Sequence, residues 1–208
     1  MRCNLNIIMI AKLKLMAVEW LMSTKFYKHV LLKVIPYIRF TTYYPQMNGK
    51  QYSALYKAVE PGDIILTIDR KKLTTVLIPG EFSHAGMVVS KDGVWETAEM
   101  THNHYDKTCV FDMAKSSDRI VVMRPQLPSS VINKAIEKCK SFEGADYDTS
   151  FSLGIEALYC SELVYESYEN NSLGIDISDL LGMGKPYISP SGLYTAKNLK
   201  VVLDTDKL

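Results

Sequence analysis

Apolar positions recur at helical spacing near the start of the chain. Leu13, Ala17, Trp20 and Leu21, then Phe26, Val30, Leu31 and Val34 beyond a break at Ser23 and Thr24, predict helix over about residues 5–35, and Pro36 ends it. Residues 41–50, with Pro45, Asn48 and Gly49, read as a loop. The period then changes from helix to strand. After the turn signature Glu60-Pro61-Gly62, the β-branched run at residues 63–68 predicts a strand, and residues 84–89 and 94–98 predict two more. Asp92-Gly93 between those two runs is a strong hairpin signal. Counting outward from that turn pairs Val89 with Val94 and Met87 with Glu96, give or take a register step. Residues 119–123 predict another strand, stopped by Pro125.

Two helices and a closing strand complete the pattern. Ser129 caps a helix whose apolar stripe is Val131, Ile132, Ala135, Ile136 and Cys139, ending near Gly144. A second helix, over about residues 157–168, carries Cys160, Leu163, Val164 and Ser167 at positions i, i+3, i+4 and i+7. Residues 199–203 supply the last strand. The expected fold class is α+β, with an antiparallel sheet packed against helices. Two parts follow, a helical extension over residues 1–50 and a body over residues 51–208.

Charge separates those parts. The 208-residue chain is 47% hydrophobic, enough for one ordinary core, with a formal net charge of +1. Up to Phe40, seven basic residues stand against Glu19 alone, so this stretch carries +6 and the remainder −5. The near-balanced total gives no reason to expect nucleic acid as a partner. The basic, apolar extension packs on the body or meets a membrane surface. The short apolar run at residues 7–11 is broken by Lys12 and Lys14 and followed by no small-residue cleavage site, so neither a signal peptide nor a membrane span is expected and the cytoplasm is the expected location. The four cysteines, Cys3, Cys109, Cys139 and Cys160, show neither metal-like pairing nor disulfide density and read as free thiols.

One cysteine stands apart. Cys139 lies in an apolar stripe, whereas Cys160 sits near a predicted helix start between Tyr159 and Ser161-Glu162, where a thiol can be held as thiolate. His84 opens a strand, so its ring can project toward a cleft, and Glu96 on the partner strand can orient it. Asp63 follows a turn into a strand, where capping or facing a substrate amine are both open. His102-Asn103-His104, near Glu99 and Asp106, offers metal-ligand residue types, but in a polar stretch this reads as solvated loop, and no metal or cofactor is expected. His29, Cys3 and Cys109 have no evident chemical company.

Several motifs together resemble a known family. Pro61-Gly62-Asp63-Ile64-Ile65, Ser83-His84-Ala85-Gly86-Met87-Val88-Val89, Asp92-Gly93-Val94-Trp95-Glu96 and, far downstream, Tyr159-Cys160-Ser161-Glu162-Leu163-Val164 resemble the serial motifs of permuted NlpC-type papain-like enzymes, specifically the YiiX-like branch. Gly144-Ala145-Asp146-Tyr147-Asp148 and Ile188-Ser189-Pro190-Ser191-Gly192-Leu193 are also similar to that branch. The histidine precedes the cysteine, which is the permuted order. The resemblance implies a permuted papain-like fold, a sheet or partial barrel against helices, with Cys160, His84 and Glu96 as triad. Tyr147 and the Cys160 backbone N–H would hold the oxyanion or line the cleft.

What the resemblance implies about substrate divides three ways. The first is cleavage of an amide in a peptidoglycan-type peptide or related γ-linked amide. The second is lipid acyl chemistry, since the histidine strand is also similar to lecithin:retinol acyltransferase-type enzymes; their nucleophile motif is Asn-Cys-Glu-His, where this chain has Tyr-Cys-Ser-Glu. The third is a non-catalytic binding module, which the presence of all three triad residue types disfavours.

Overall fold

The computed structural model describes residues 20, 22–38, 47–70, 72–73, 75, 78, 80–115, 117–182 and 184–208. The expected helix over residues 5–19 and most of the loop over residues 41–46 lie outside the described residues. Within the extension, α1 (Lys25–Lys33) starts where the Thr24 side chain accepts the Tyr27 N–H, and a 3-10 turn carrying Pro36 follows it. Part of the expected loop is helical instead. Asn48 and Gln51 form a capping box, each side chain taking the other's backbone N–H, and this nucleates α2 (Gly49–Ala58).

The body is built on one antiparallel sheet in the order β10-β5-β1-β2-β3-β4. Its strands are β1 (Ile64–Ile68), β2 (His84–Asp92), β3 (Val94–Met100), β4 (Tyr105–Cys109), β5 (Arg119–Pro125) and β10 (Leu199–Asp204). Strand alternation gives the sheet two apolar faces. Ile64, Leu66, Met87, Ala98, Val121 and Met123 face α4 (Ser129–Ser141) and α5 (Cys160–Ser167) through Ala135, Cys139, Leu163 and Val164. Ile65, Val88, Trp95, Ile120 and Val122 face Leu55 of α2 and the short α3 (Val110–Ala114). The expected antiparallel α+β architecture is the one observed, with β4 and α3 added where the sequence showed no clear period.

Two local features set the geometry of the site. The β2–β3 hairpin turns on Gly93 alone, at φ +75°, a left-handed conformation that glycine adopts without a Cβ penalty. Pairing therefore runs to the tip, Asp92 opposite Val94, and a bulge between Val88 and Ser90 shifts the register further in. Met87 consequently faces Ala98, and Glu96 faces Ser90. The count from a longer turn, with Met87 opposite Glu96, misplaces the strand by two residues.

The second feature precedes the cysteine helix. Residues 157–159 are not helical: β7 (Ala157–Leu158) pairs in parallel with β6 (Asp146–Tyr147), matching Tyr147 with Leu158. Tyr159 is extended, so α5 begins at Cys160 itself. A two-residue pair is too short to leave a period in the sequence. It nevertheless fixes Tyr147 beside the chain two residues ahead of the thiol. The antiparallel pair β8 (Ser178–Asp179) and β9 (Pro186–Tyr187), then α6 (Pro190–Tyr194), complete the fold.

Candidate active site

His84 begins β2 where that strand meets the N-terminal end of α5, which packs across β2 and β3. Its Nε2 lies 2.5 Å from Oε2 of Glu99. The strand register explains the contact: Glu99 is opposite Gly86, and His84, two residues from Gly86, projects from the same face, which makes His84 and Glu99 diagonal neighbours. Position 86 itself requires glycine, because a Cβ there would come within 2.8 Å of the Thr97 side chain. The other carboxylate oxygen of Glu99 accepts the hydroxyl of Thr108 on β4. On the other side, the His84 ring neighbours Cys160, close enough for each group to shift the other's ionisation. With Nε2 taken by Glu99, Nδ1 is the nitrogen left for the thiol.

The electrostatics follow from these contacts. Burial alone would lower the His84 pKa, but the interactions with Cys160 and Glu99 carry it up to about 10. Burial likewise opposes a charge on Cys160, yet the His84 ring and the Ala85 backbone N–H bring the thiol below its ordinary value. Glu99 is buried, which raises a carboxyl; His84, Thr108 and the Lys72 charge outweigh that and hold it low. The three groups are thus disposed as thiolate, imidazolium and carboxylate. Cys139 shows the same residue without a histidine: burial pushes its thiol up to about 11.

An aromatic wall surrounds the sulfur. Burial and then the nearby Cys160 raise the hydroxyl pKa of both Tyr147 and Tyr187 far above the usual phenol value. These hydroxyls stay protonated and can donate. Phe151 sets its ring edge-on to Tyr147 and Tyr187, and Tyr159 stacks on Tyr187 with centroids 5.3 Å apart. Below the helix start, the buried Glu162 carboxylate accepts the N–H groups of Gly154 and Tyr159, tying the segment before α5 to its first turn. The segment at residues 188–193 joins the two sides of the site. The Ile188 carbonyl accepts the Ser161 hydroxyl, while Ser191 Oγ accepts the backbone N–H groups of Glu81 and Phe82, just ahead of His84.

Of the residues singled out from the sequence, Cys160, His84 and Tyr147 converge. Glu96 does not join them. It stands near the hairpin tip and accepts the hydroxyl of Ser90, because the one-residue turn sets it opposite Ser90, while the bulge further in puts Glu99 opposite Gly86 and so at the histidine. Asp63 does not line the site either. It precedes β1 at the end opposite Thr67, the partner of His84, so four residues at about 3.3 Å each separate the two along the strand. Its carboxylate accepts two hydrogen bonds from Arg124, at 2.9 and 2.8 Å, and the Glu60 N–H at 2.8 Å. Asp63→Ala should therefore destabilise the fold by about 3 kcal/mol in urea unfolding, leaving Arg124 without its buried partner, while kcat/KM is unchanged.

The histidine cluster is dispersed. His102 Nε2 is 3.0 Å from the Tyr37 hydroxyl and His104 pairs by backbone with Asp146. Among the described residues, no three His, Cys, Asp or Glu groups come together as metal ligands. Tyr187 carries no sequence signal of a site role, and Glu99 stands out in the sequence only beside the His102–His104 cluster, not as a partner of His84. The signal for Glu99 was present as a second acidic residue on β3, three positions beyond Glu96.

Residues 58–206 match the model of a family described as permuted papain-like amidase enzymes, the YaeF/YiiX or C92 family. The chain belongs to this family. The family is one of papain-like amidases, so at that level the chain is an enzyme, a cysteine hydrolase. The crystal structure of metalloprotein YiiX from Escherichia coli O157:H7 is similar in fold, with a TM-score of 0.58 at 22% identity over 70% of this chain and 97% of that one. No curated protein matches the sequence.

Proposed function

We propose that the C92-family chain cleaves an amide bond through a thioester, with Cys160 as nucleophile, His84 as general base and acid, and Glu99 as the group that orients His84. The observation that carries this reading is one imidazole hydrogen-bonded to a buried carboxylate and set beside a thiol at a helix start, whose ionisation it supports. The Cys160 thiolate attacks the carbonyl carbon, and the developing oxyanion is met by the Cys160 backbone N–H at the first helical residue and by the Tyr147 hydroxyl. His84 gives its proton to the leaving amine. It then takes a proton from water, whose oxygen attacks the thioester and releases the acid and the Cys160 thiolate, which restores the thiolate and imidazolium pair. Glu99 keeps Nε2 protonated throughout, so that Nδ1 faces the sulfur.

The acyl group proposed is that of a peptidoglycan-type peptide or a related γ-linked amide, set between Tyr147, Phe151 and Tyr187. Release of free amine from such fragments by the wild type, and not by Cys160→Ala, tests the reading. Acyl release from phospholipid with no amine release would replace it with lipid chemistry.

The pH profile has a definite sign. The rate requires thiolate and imidazolium together. It should fall on the acid side as the lowered Cys160 thiol takes up a proton, and on the basic side as His84 loses one near pH 10. Glu99→Gln removes the charge that supports the imidazolium, so its basic limb should move to lower pH. A basic limb unchanged in that variant would separate Glu99 from His84.

A further inference from the structure

The segment at residues 20–38 carries features the cleft does not use. α1 has no buried residue and no acidic one, and Lys25, Lys28, His29 and Lys33 all lie on its exposed surface. Large apolar side chains are interleaved with them: Phe26 is 73% exposed, Trp20 70% and Tyr37 68%, with Val34 and Ile38 also exposed. Single exposed apolar residues are ordinary on a protein surface, but five within nineteen positions of a basic stretch are not. The segment has a definite seat on the body. Lys33 Nζ donates to Asn103 Oδ1 at 3.1 Å, the Tyr37 hydroxyl meets His102, and the Ile38 carbonyl accepts the Leu73 N–H at 3.4 Å. The Asn103 carbonyl in turn accepts the Tyr147 N–H, so the seat adjoins the aromatic wall beside Cys160.

We propose that residues 20–38 dock on an anionic lipid surface. Lys25 and Lys28 meet headgroup phosphates, Trp20 and Phe26 enter the boundary between headgroups and acyl chains, and the Cys160 cleft is carried next to that surface. Charge complementarity and the aromatic side chains favour lipid over nucleic acid. A polyanion would gain only the lysines, whereas a bilayer interface also takes up the exposed rings. Among the described residues no helix is long and apolar enough to cross a membrane, which fits a surface contact. The proposal does not rest on the catalytic reading, and Cys160→Ala should retain it.

The test uses the full chain with vesicles of phosphatidylcholine alone and of phosphatidylcholine with phosphatidylglycerol. The protein should sediment with the anionic vesicles, and its fluorescence should shift to the blue, a shift absent in Trp20→Phe. Lys25→Glu/Lys28→Glu should weaken binding at least about tenfold, and Phe26→Ala should weaken it while leaving the salt dependence in place. Circular dichroism confirms that each variant is folded. Failure to sediment with anionic vesicles, equal binding to neutral ones, or unchanged binding by the charge-reversed variant overturns the proposal. So does binding of RNA or DNA through the same lysines without any Trp20 shift on vesicles.

Discussion

Replacing His84 by alanine should lower kcat/KM near neutral pH by about 10³-fold or more. Two losses add in this variant. The proton acceptor disappears, and so does the cation that makes the Cys160 thiolate tolerable at a site only 4% exposed. Burial is the largest influence on that thiol, and it acts against ionisation. Once the imidazole is gone, Cys160 should come to resemble Cys139, whose thiol burial pushes to about 11. Initial rates on the amide substrate check the outcome, with circular dichroism to show that the variant is folded. A loss of less than about tenfold would mean that another group activates the sulfur.

The paired variants Glu99→Ala and Glu96→Ala should separate two carboxylates on one strand. Glu99→Ala should cost about 10²-fold or more in kcat, because the ring loses the group that fixes its tautomer and supports its charge. The Thr108 hydroxyl, which now donates to Glu99, loses its acceptor as well. Glu96→Ala should leave kcat unchanged, since its carboxylate is engaged with Ser90 near the hairpin tip. The reverse ranking would mean that the working hairpin register differs from the one that sets Glu99 opposite Gly86.

The contrast between these carboxylates shows what the sequence could and could not reveal. The period-2 runs gave β1, β2, β3, β5 and β10, and the 3.6 period gave α4 and the body of α5. With them came His84 at a strand start and Cys160 near a helix start. The third group was hidden because strand register is not a property of either strand alone. A single-glycine reversal and one bulge move the pairing, and Glu99 replaces Glu96 at the histidine. A motif marks Tyr147, but its reason for lying beside Cys160 is the parallel pair with Leu158. That contact spans two residues and leaves no periodic trace. The sequence leaves two roles open for Asp63, and Arg124 on the neighbouring β5 decides for the structural one. Tyr187 comes near Cys160 from β9, another two-residue strand, which likewise leaves no periodic trace.

The pH dependence of Cys160 alkylation measures directly whether His84 ionises Cys160. Iodoacetamide labelling, resolved by peptide mass, follows Cys160 and Cys139 in one sample. Cys160 should react with an apparent pKa well below the value of about 8.5 for a free thiol. Cys139 should react only as the pH approaches 11, and the advantage of Cys160 should vanish in His84→Ala. A Cys160 profile at or above the free-thiol value, the same with and without His84, would contradict ionisation by His84.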